Sequence, residues 1–335
     1  MKRVLVLGAA GFVGRRLIEA LAETGWAQPI AGLHRSHPGF GPGVATTRVD
    51  ATDPAALARA LAGAEFVVNC VAGDGHTIAA GAERLFETAA KRDAIERIVH
   101  LSSMAVYGSA TGRVHEATPL SGDLGWYAEA KVRAEESARA YTRAGGRVVI
   151  LRPGCIYGPG SQAWTGRIGR WLRAGRLGDL GAGGDGTCNV VLIDDVVAAV
   201  VAALQEPAAE GEAINLATPA GTWNRYFVRF GRAIGSTPVR RISGRRLRVE
   251  TKVLAPVLKI AEVGARRLRV DPRRLPEPIP PSLARLWQQE IELDTTKADV
   301  LLRVAWTPLD RGLDLAARWF NRAHPAGSPS TPPRS

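Results

Sequence analysis

Val4-Leu5-Val6-Leu7-Gly8-Ala9-Ala10-Gly11-Phe12-Val13-Gly14-Arg15-Arg16 is the stretch whose reading decides the fold. Four apolar residues read as a buried strand, the next seven as a turn, and residues 15–23 as a helix. Glycines at 8, 11 and 14 permit a tight turn, close approach of backbone to a pyrophosphate, and close packing of helix on strand. The start of the helix then offers unpaired N–H groups and a partial positive charge to an anion. Three glycines alone are weak evidence; the strand–turn–helix setting makes them specific. Gly8, Ala10, Gly11, Phe12, Val13 and Gly14 are therefore the candidate phosphate-binding residues.

The same rhythm runs outward. Residues 29–33, 66–70, 97–101 and 147–151 are short apolar runs, and residues 55–61, 80–91 and 127–144 carry helical spacing. Apolar β-branched runs alternating with helices predict a parallel sheet covered on both faces, and right-handed crossovers make it doubly wound. The expected architecture is α/β: a doubly wound Rossmann-type parallel sheet over residues 1–160, with 186–205 returning to it. Residues 161–185 and 206–322 are expected to form a smaller C-terminal substrate-binding α/β lobe. Within it, 214–216 reads as a strand, 222–234 as a helix, and 249–268 as an amphipathic basic helix, or two, broken at Pro256. Residues 158–186 are Gly-rich, 272–281 read as a Pro-rich bend, and 323–335 as a disordered tail.

An apolar fraction of 46% with 23% charged residues suits a globular enzyme and argues against disorder. Cys70, Cys155 and Cys188 are odd in number and widely spaced, which disfavours a disulfide framework and a metal site and favours a reducing cytoplasm. Met1-Lys2-Arg3 before an apolar run resembles a leader, but Arg15-Arg16 and Glu19 interrupt it. The net charge of +12 is concentrated between residues 225 and 285, where sixteen Lys and Arg stand against four acids. That segment reads as a solvated face or as a peripheral contact with an anionic membrane. No nucleic-acid motif accompanies it.

Two further elements carry chemistry. At the end of the second strand, where an acid would hold a plain ribose, the chain has His34-Arg35-Ser36; the cation of Arg35 suits a 2′-phosphate and favours NADP over NAD. Asp50, next to Ala51, is placed to accept a hydrogen bond from adenine, with capping of the next helix as a competing role. Tyr127 and Lys131 are one helical turn apart on one face. A phenol titrates near pH 10, and a neighbouring ammonium is expected to lower that value.

Together with Asn69-Cys70-Val71-Ala72-Gly73, Leu101-Ser102-Ser103-Met104-Ala105-Val106-Tyr107-Gly108, Glu116-Ala117-Thr118-Pro119, Leu151-Arg152-Pro153-Gly154-Cys155-Ile156-Tyr157-Gly158-Pro159-Gly160, Asp194-Asp195 and Asp294-Thr295-Thr296-Lys297-Ala298, these motifs make the chain resemble an extended short-chain dehydrogenase/reductase over about residues 2–321. The resemblance implies an enzyme of the epimerase/dehydratase superfamily using NADP or NAD. It assigns Ser103 to the substrate oxygen, Tyr127 to proton transfer, and Lys131 to Tyr127 and the nicotinamide ribose. Pro153 would line the nicotinamide pocket, and Val71 and Ala72 would join Gly8–Gly14, Arg35, Asp50 and Ala51 around the rest of the cofactor.

Departures from the family narrow the substrate. Cys155 and Cys188 stand where nucleotide-sugar members resemble one another in carrying Asn and Arg against the diphosphate. Losing two such contacts would cost that substrate several kcal/mol, roughly, unless Arg241 or Arg245 compensated. Met104-Ala105 replaces the Asp-Glu pair of dehydratases. The LRPxxIYGPG form and the 249–268 insert are closest in style to hydroxysteroid dehydrogenase-like and dihydroflavonol reductase-like members. A short loop from Gly73 to about Ala80, holding His76, departs from the longer family segment; His76 reads as a solvent-exposed residue before a substrate contact. The expected function is oxidation or reduction of a secondary alcohol or ketone on an apolar or lipid-like small molecule. A nucleotide-sugar epimerase and a non-catalytic NADP(H) sensor remain alternatives, and the resemblance leaves room for a homodimer.

Overall fold

The computed structural model describes residues 1–36, 38–258 and 277–325. The strands are β1 (Lys2–Leu7), β2 (Ala27–Leu33), β3 (Ala45–Arg48), β4 (Phe66–Asn69), β5 (Arg97–Leu101), β6 (Gly112–Val114), β7 (Val148–Pro153), β8 (Cys155–Tyr157), β9 (Thr187–Leu192), β10 (Ala213–Leu216), β11 (Thr218–Thr222) and β12 (Ile291–Leu293). The helices used below are α1 (Phe12–Ala22), α2 (Pro54–Leu61), α3 (Gly75–Ala89), α4 (Trp126–Arg143), α5 (Arg167–Arg173), α6 (Ile193–Gln205), α7 (Trp223–Ala233) and α8 (Gly244–Val249). The chain divides into two compact units. Unit one holds Met1–Cys155, Val191–Ala217 and Leu293–Trp306; unit two holds Ile156–Val190, Thr218–Glu292 and Thr307–Ser335.

Unit one is built on a seven-stranded sheet in the order β10-β7-β5-β4-β1-β2-β3, every neighbouring pair parallel. Every residue of β4, β5 and β7 is buried, which is why these strands read as unbroken apolar runs rather than as alternation. Leu5 and Leu7 pack in one core with Leu57 of α2, Leu85 of α3 and Ala134 of α4. Val4 and Val6, equally buried, point to the other face by strand alternation. This is the doubly wound Rossmann-type arrangement.

Several boundaries differ from the sequence reading: residues 156–160 and 186–190, expected with the Rossmann-type sheet, fall in unit two, and 206–217, expected in the lobe, fall in unit one. Residues 213–216 belong to unit one, because β10 pairs with β7 from Ala213↔Ile150 to Leu216↔Pro153. The pairing satisfies backbone groups that β7 would otherwise leave open on that edge. Residues 293–306 also fall in unit one. The expected loop after Gly73 is instead the first turn of α3: Asp74 caps it, accepting from the Thr77 N–H at 2.8 Å. His76 is exposed on that turn.

Unit two has a three-stranded sheet, β11-β9-β8, and an aromatic core. Trp287 lies edge-on to Trp171 (6.4 Å) and Phe227 (5.2 Å), and Phe230 meets Phe320 at 6.2 Å. The Gly-rich stretch hides a helix, α5, whose Gly169 lets Phe320 close in; a Cβ there would fall 2.6 Å from its ring. The basic segment is helical from Gly244 through 258 and is not broken at Pro256. A widened turn at Glu250–Leu254, with the Ala255 N–H reaching back to the Glu250 carbonyl, precedes the proline and accommodates its missing donor. The rest of the 249–268 segment, most of the 272–281 bend and residues 326–335 of the tail lie outside the described residues. Among the described residues, no helix is long and apolar enough to cross a membrane.

Candidate functional site

Unit one contains every candidate cofactor and catalytic residue. Gly8 leaves β1 with φ +76°, which a side chain resists, and a Cβ there would lie 2.8 Å from the Cys70 carbonyl oxygen. A Cβ on Gly14 would lie 2.4 Å from the Gly8 oxygen. The glycines therefore bring β1, the end of β4 and the start of α1 into backbone contact. Gly11 is the N-cap of α1 and no side chain caps it, so the first-turn N–H groups remain available to an anion. This cradle fits a dinucleotide pyrophosphate. Beside it, the Val71 N–H bonds the Asn69 side chain at 3.1 Å, fixing the chain where Val71 and Ala72 leave β4.

β2 ends at Leu33, and His34, Arg35 and Ser36 follow it, all exposed. Among the described residues Arg35 makes no ion pair. Asp50 Oδ1 accepts from the Thr52 N–H (2.9 Å) and hydroxyl (2.7 Å), while Oδ2 lies 3.4 Å from His34 Nε2. The Thr52 bonds hold its carboxyl below the usual range. Capping of α2 falls to Asp53, which accepts from the Ala55 N–H at 2.9 Å, so capping does not compete for Asp50. Ala51 packs against Gly81 of α3, 3.4 Å from where a Cβ would stand.

α4 carries the proton-handling residues. Tyr127 is 39% exposed and lies edge-on to Trp126 at 5.8 Å. Ser103 accepts from the Ala105 N–H at 3.2 Å, capping the single turn Met104–Tyr107. Its side chain also lowers the Tyr127 pKa. The expectation that Lys131 lowers the Tyr127 pKa is not met. Desolvation raises that pKa, Ser103 opposes the rise, and Cys155 adds to it. Lys131 Nζ instead donates to the Leu101 carbonyl at 2.8 Å. Burial pushes Lys131 down to about 8, against the upward pull of Cys70 and Glu135. Pro153, which ends β7, is buried.

Beneath this pair is a charged cluster that the sequence reading missed. Arg152 and Glu135 have no exposed side-chain surface and are joined twice, at 2.9 and 2.6 Å. Ser102 donates to Glu135 at 2.6 Å. Arg152 Nη1 donates to the Tyr107 hydroxyl (2.8 Å) and the Glu116 carbonyl (3.0 Å), and Tyr107 donates to Asn215 Oδ1 at 2.7 Å. The cluster ties α4, β5, β7 and β10 together. Glu135 follows Lys131 by one turn, as Lys131 follows Tyr127, so the spacing argument extended once more would have found it.

Further buried polar groups surround Lys131. The Asn69 amide lies 3.1 Å from His100 Nδ1, and desolvation, with Lys131 nearby, holds His100 down to about 3. Burial pushes the Cys70 thiol up to about 12 and raises Cys155 as well, so neither supplies a thiolate at neutral pH. Cys188, in unit two, is also buried.

Fold and site together define a dinucleotide-binding enzyme of the doubly wound class. Residues 4–217 match the model of the NAD dependent epimerase/dehydratase family, and the chain belongs to that family. It is 32% identical over 197 residues to the 2-alkyl-3-oxoalkanoate reductase of Stenotrophomonas maltophilia, covering 54% of this chain and 59% of that one. It is 30% identical over 193 residues to an N-acetyl-alpha-D-glucosaminyl-diphospho-ditrans,octacis-undecaprenol 4-epimerase of Escherichia coli O157:H7, covering 54% and 56%. The chain thus spans little more than half the length of these curated relatives. Among solved structures, a UDP-glucose 4-epimerase of Thermotoga maritima shares the fold with a TM-score of 0.73 at 19% identity, covering 96% of this chain and 99% of that one.

Proposed function

We propose that the chain is an NADP-preferring oxidoreductase that interconverts a secondary alcohol and a ketone on an apolar or lipid-like substrate. The observation that carries this reading is Ser103 acting on Tyr127, with buried Lys131 one turn along α4 and donating to the Leu101 carbonyl. When bound, the nicotinamide supplies a hydride to the carbonyl carbon. Tyr127 gives its hydroxyl proton to the carbonyl oxygen while Ser103 donates a hydrogen bond to that oxygen. Lys131 would hold the nicotinamide ribose, and solvent returns the proton to Tyr127. Because burial raises the Tyr127 pKa, the phenol keeps its proton at neutral pH. Lys131 loses its charge as pH rises through about 8, so reduction should slow above that pH.

Arg35 is the residue that favours NADP. Cys155, Cys188 and Met104-Ala105 lean away from nucleotide sugars and from dehydration, and similarity to a protein named for reducing 2-alkyl-3-oxoalkanoates supports a ketone. The stylistic closeness to hydroxysteroid dehydrogenase-like and dihydroflavonol reductase-like members, a cytoplasmic setting and a homodimer belong to the same reading. Similarity to the undecaprenol-linked 4-epimerase favours a second one, epimerisation with tightly held NAD(P).

The test is a turnover screen of hydrophobic ketones and UDP-sugars with NADPH and NADH. Tyr127→Phe should lose about 10²- to 10⁴-fold in ketone reduction while retaining cofactor binding. UDP-sugar epimerisation without ketone turnover would select the second reading. Cofactor binding without any turnover would make the chain a sensor.

A further inference from the structure

We infer that the outward face of the helical segment 244–258, in unit two, docks on the surface of an anionic lipid bilayer. Burial divides this segment into two faces. Leu247, Glu250, Thr251, Ala255 and Leu258 are buried, at the spacing of an inward helical stripe. On the other side, Val249, Val253 and Val257 are 52%, 58% and 56% exposed at intervals of four residues. Scattered exposed apolar residues need no explanation, but an aligned row of them does.

Arg245, Arg246, Arg248 and Lys252 are exposed around that row. Arg246 bonds the Gly175 carbonyl and Arg248 the Gly244 carbonyl, contacts that leave their charge uncompensated. The carboxylate of the segment, Glu250, is turned inward and held by Arg176 at 2.6 Å. The outward face therefore combines cations with an apolar stripe and carries no anion. Such a face complements a headgroup–acyl boundary, with valines entering the apolar side and cations meeting anionic headgroups. A lipid surface satisfies both halves at once.

Flotation of the full chain with phosphatidylglycerol-containing vesicles tests this. Binding is expected at low salt, with release at high salt and no binding to pure phosphatidylcholine. Replacing all three valines with Ser should reduce the bound fraction at least ten-fold. Arg248→Gln and Lys252→Gln should each weaken partitioning about five-fold, the equivalent of about 1 kcal/mol per cation. Absence of wild-type flotation at low salt, or undiminished flotation of the valine variant, would overturn the inference. So would a valine variant that converts a dimer to a monomer in sedimentation without lipid, since the occupant would then be a second copy. Unchanged circular dichroism confirms that the variant is folded. Turnover of a short, water-soluble ketone separates this result from the reading of the active site, because docking does not depend on it.

Discussion

Arg152 and Lys252 carry the same charge and represent opposite uses of it. Arg152 sits on β7 with no exposed side-chain surface, held by Glu135, Tyr107 and the Glu116 carbonyl. Lys252 stands in water on the 244–258 helix, where the neighbouring carboxylate is turned away from it. A charge taken out of water must be matched in geometry as well as sign. It therefore fixes the elements that supply its partners, here α4 with Tyr127 and Lys131 against β5 and β7. A charge left in water fixes nothing in the fold and stays available to an outside anion.

Breaking the buried pair should have the largest effect on stability. Glu135→Gln keeps the shape but leaves Arg152 uncompensated, and a buried pair cut on one side costs about 3–5 kcal/mol. Urea unfolding measures it. An Arg152→Met, Glu135→Leu double variant should recover much of that loss, because neither charge then remains buried. If Glu135→Gln unfolded within about 1 kcal/mol of wild type, the cluster would not be what holds α4 in place.

How much of this was legible in sequence follows from the same contrast. β4, β5 and β7 are buried on both faces, so local composition reveals them. The Gly8–Gly14 turn declares itself because steric closeness demands glycine there. Ser103, Tyr127 and Lys131 lie in short motifs, and the structure brings all three to one end of unit one. The partner of β7 is another matter: β10 lies some sixty residues further on, and no local pattern states a pairing. Asp74 and Gly75 looked like loop because both residue types favour turns, although Asp74 is a helix cap. The direction of the Tyr127 shift was misjudged because spacing shows that two groups share a helical face, whereas burial and the Leu101 carbonyl decide where the ammonium points.

Arg35 sharpens the comparison from within unit one, since it is an exposed cation beside a buried core. Arg35→Ala should leave the unfolding midpoint unchanged and raise KM for NADPH about 10- to 100-fold, the loss of one charge-assisted contact of about 1.5–3 kcal/mol. KM for NADH should change little. Equal effects on both cofactors would remove Arg35 as the determinant of the 2′-phosphate.

The smallest expected effect is on the stability of the exposed face itself. Arg248→Gln with Lys252→Gln removes two cations from a chain of net charge +12. Neither side chain makes an ion pair among the described residues, and the Arg248 guanidinium makes a 3.3 Å contact to the Gly244 carbonyl within its own helix. Exposed charges of this kind contribute little to folding, and removing them relieves a small part of the self-repulsion of a basic protein. The melting temperature should therefore stay within about 2 °C of wild type, with any shift upward. A fall of about 5 °C or more would mean that these cations take part in packing as Arg152 does, and the distinction between charge that builds the fold and charge that faces outward would fail.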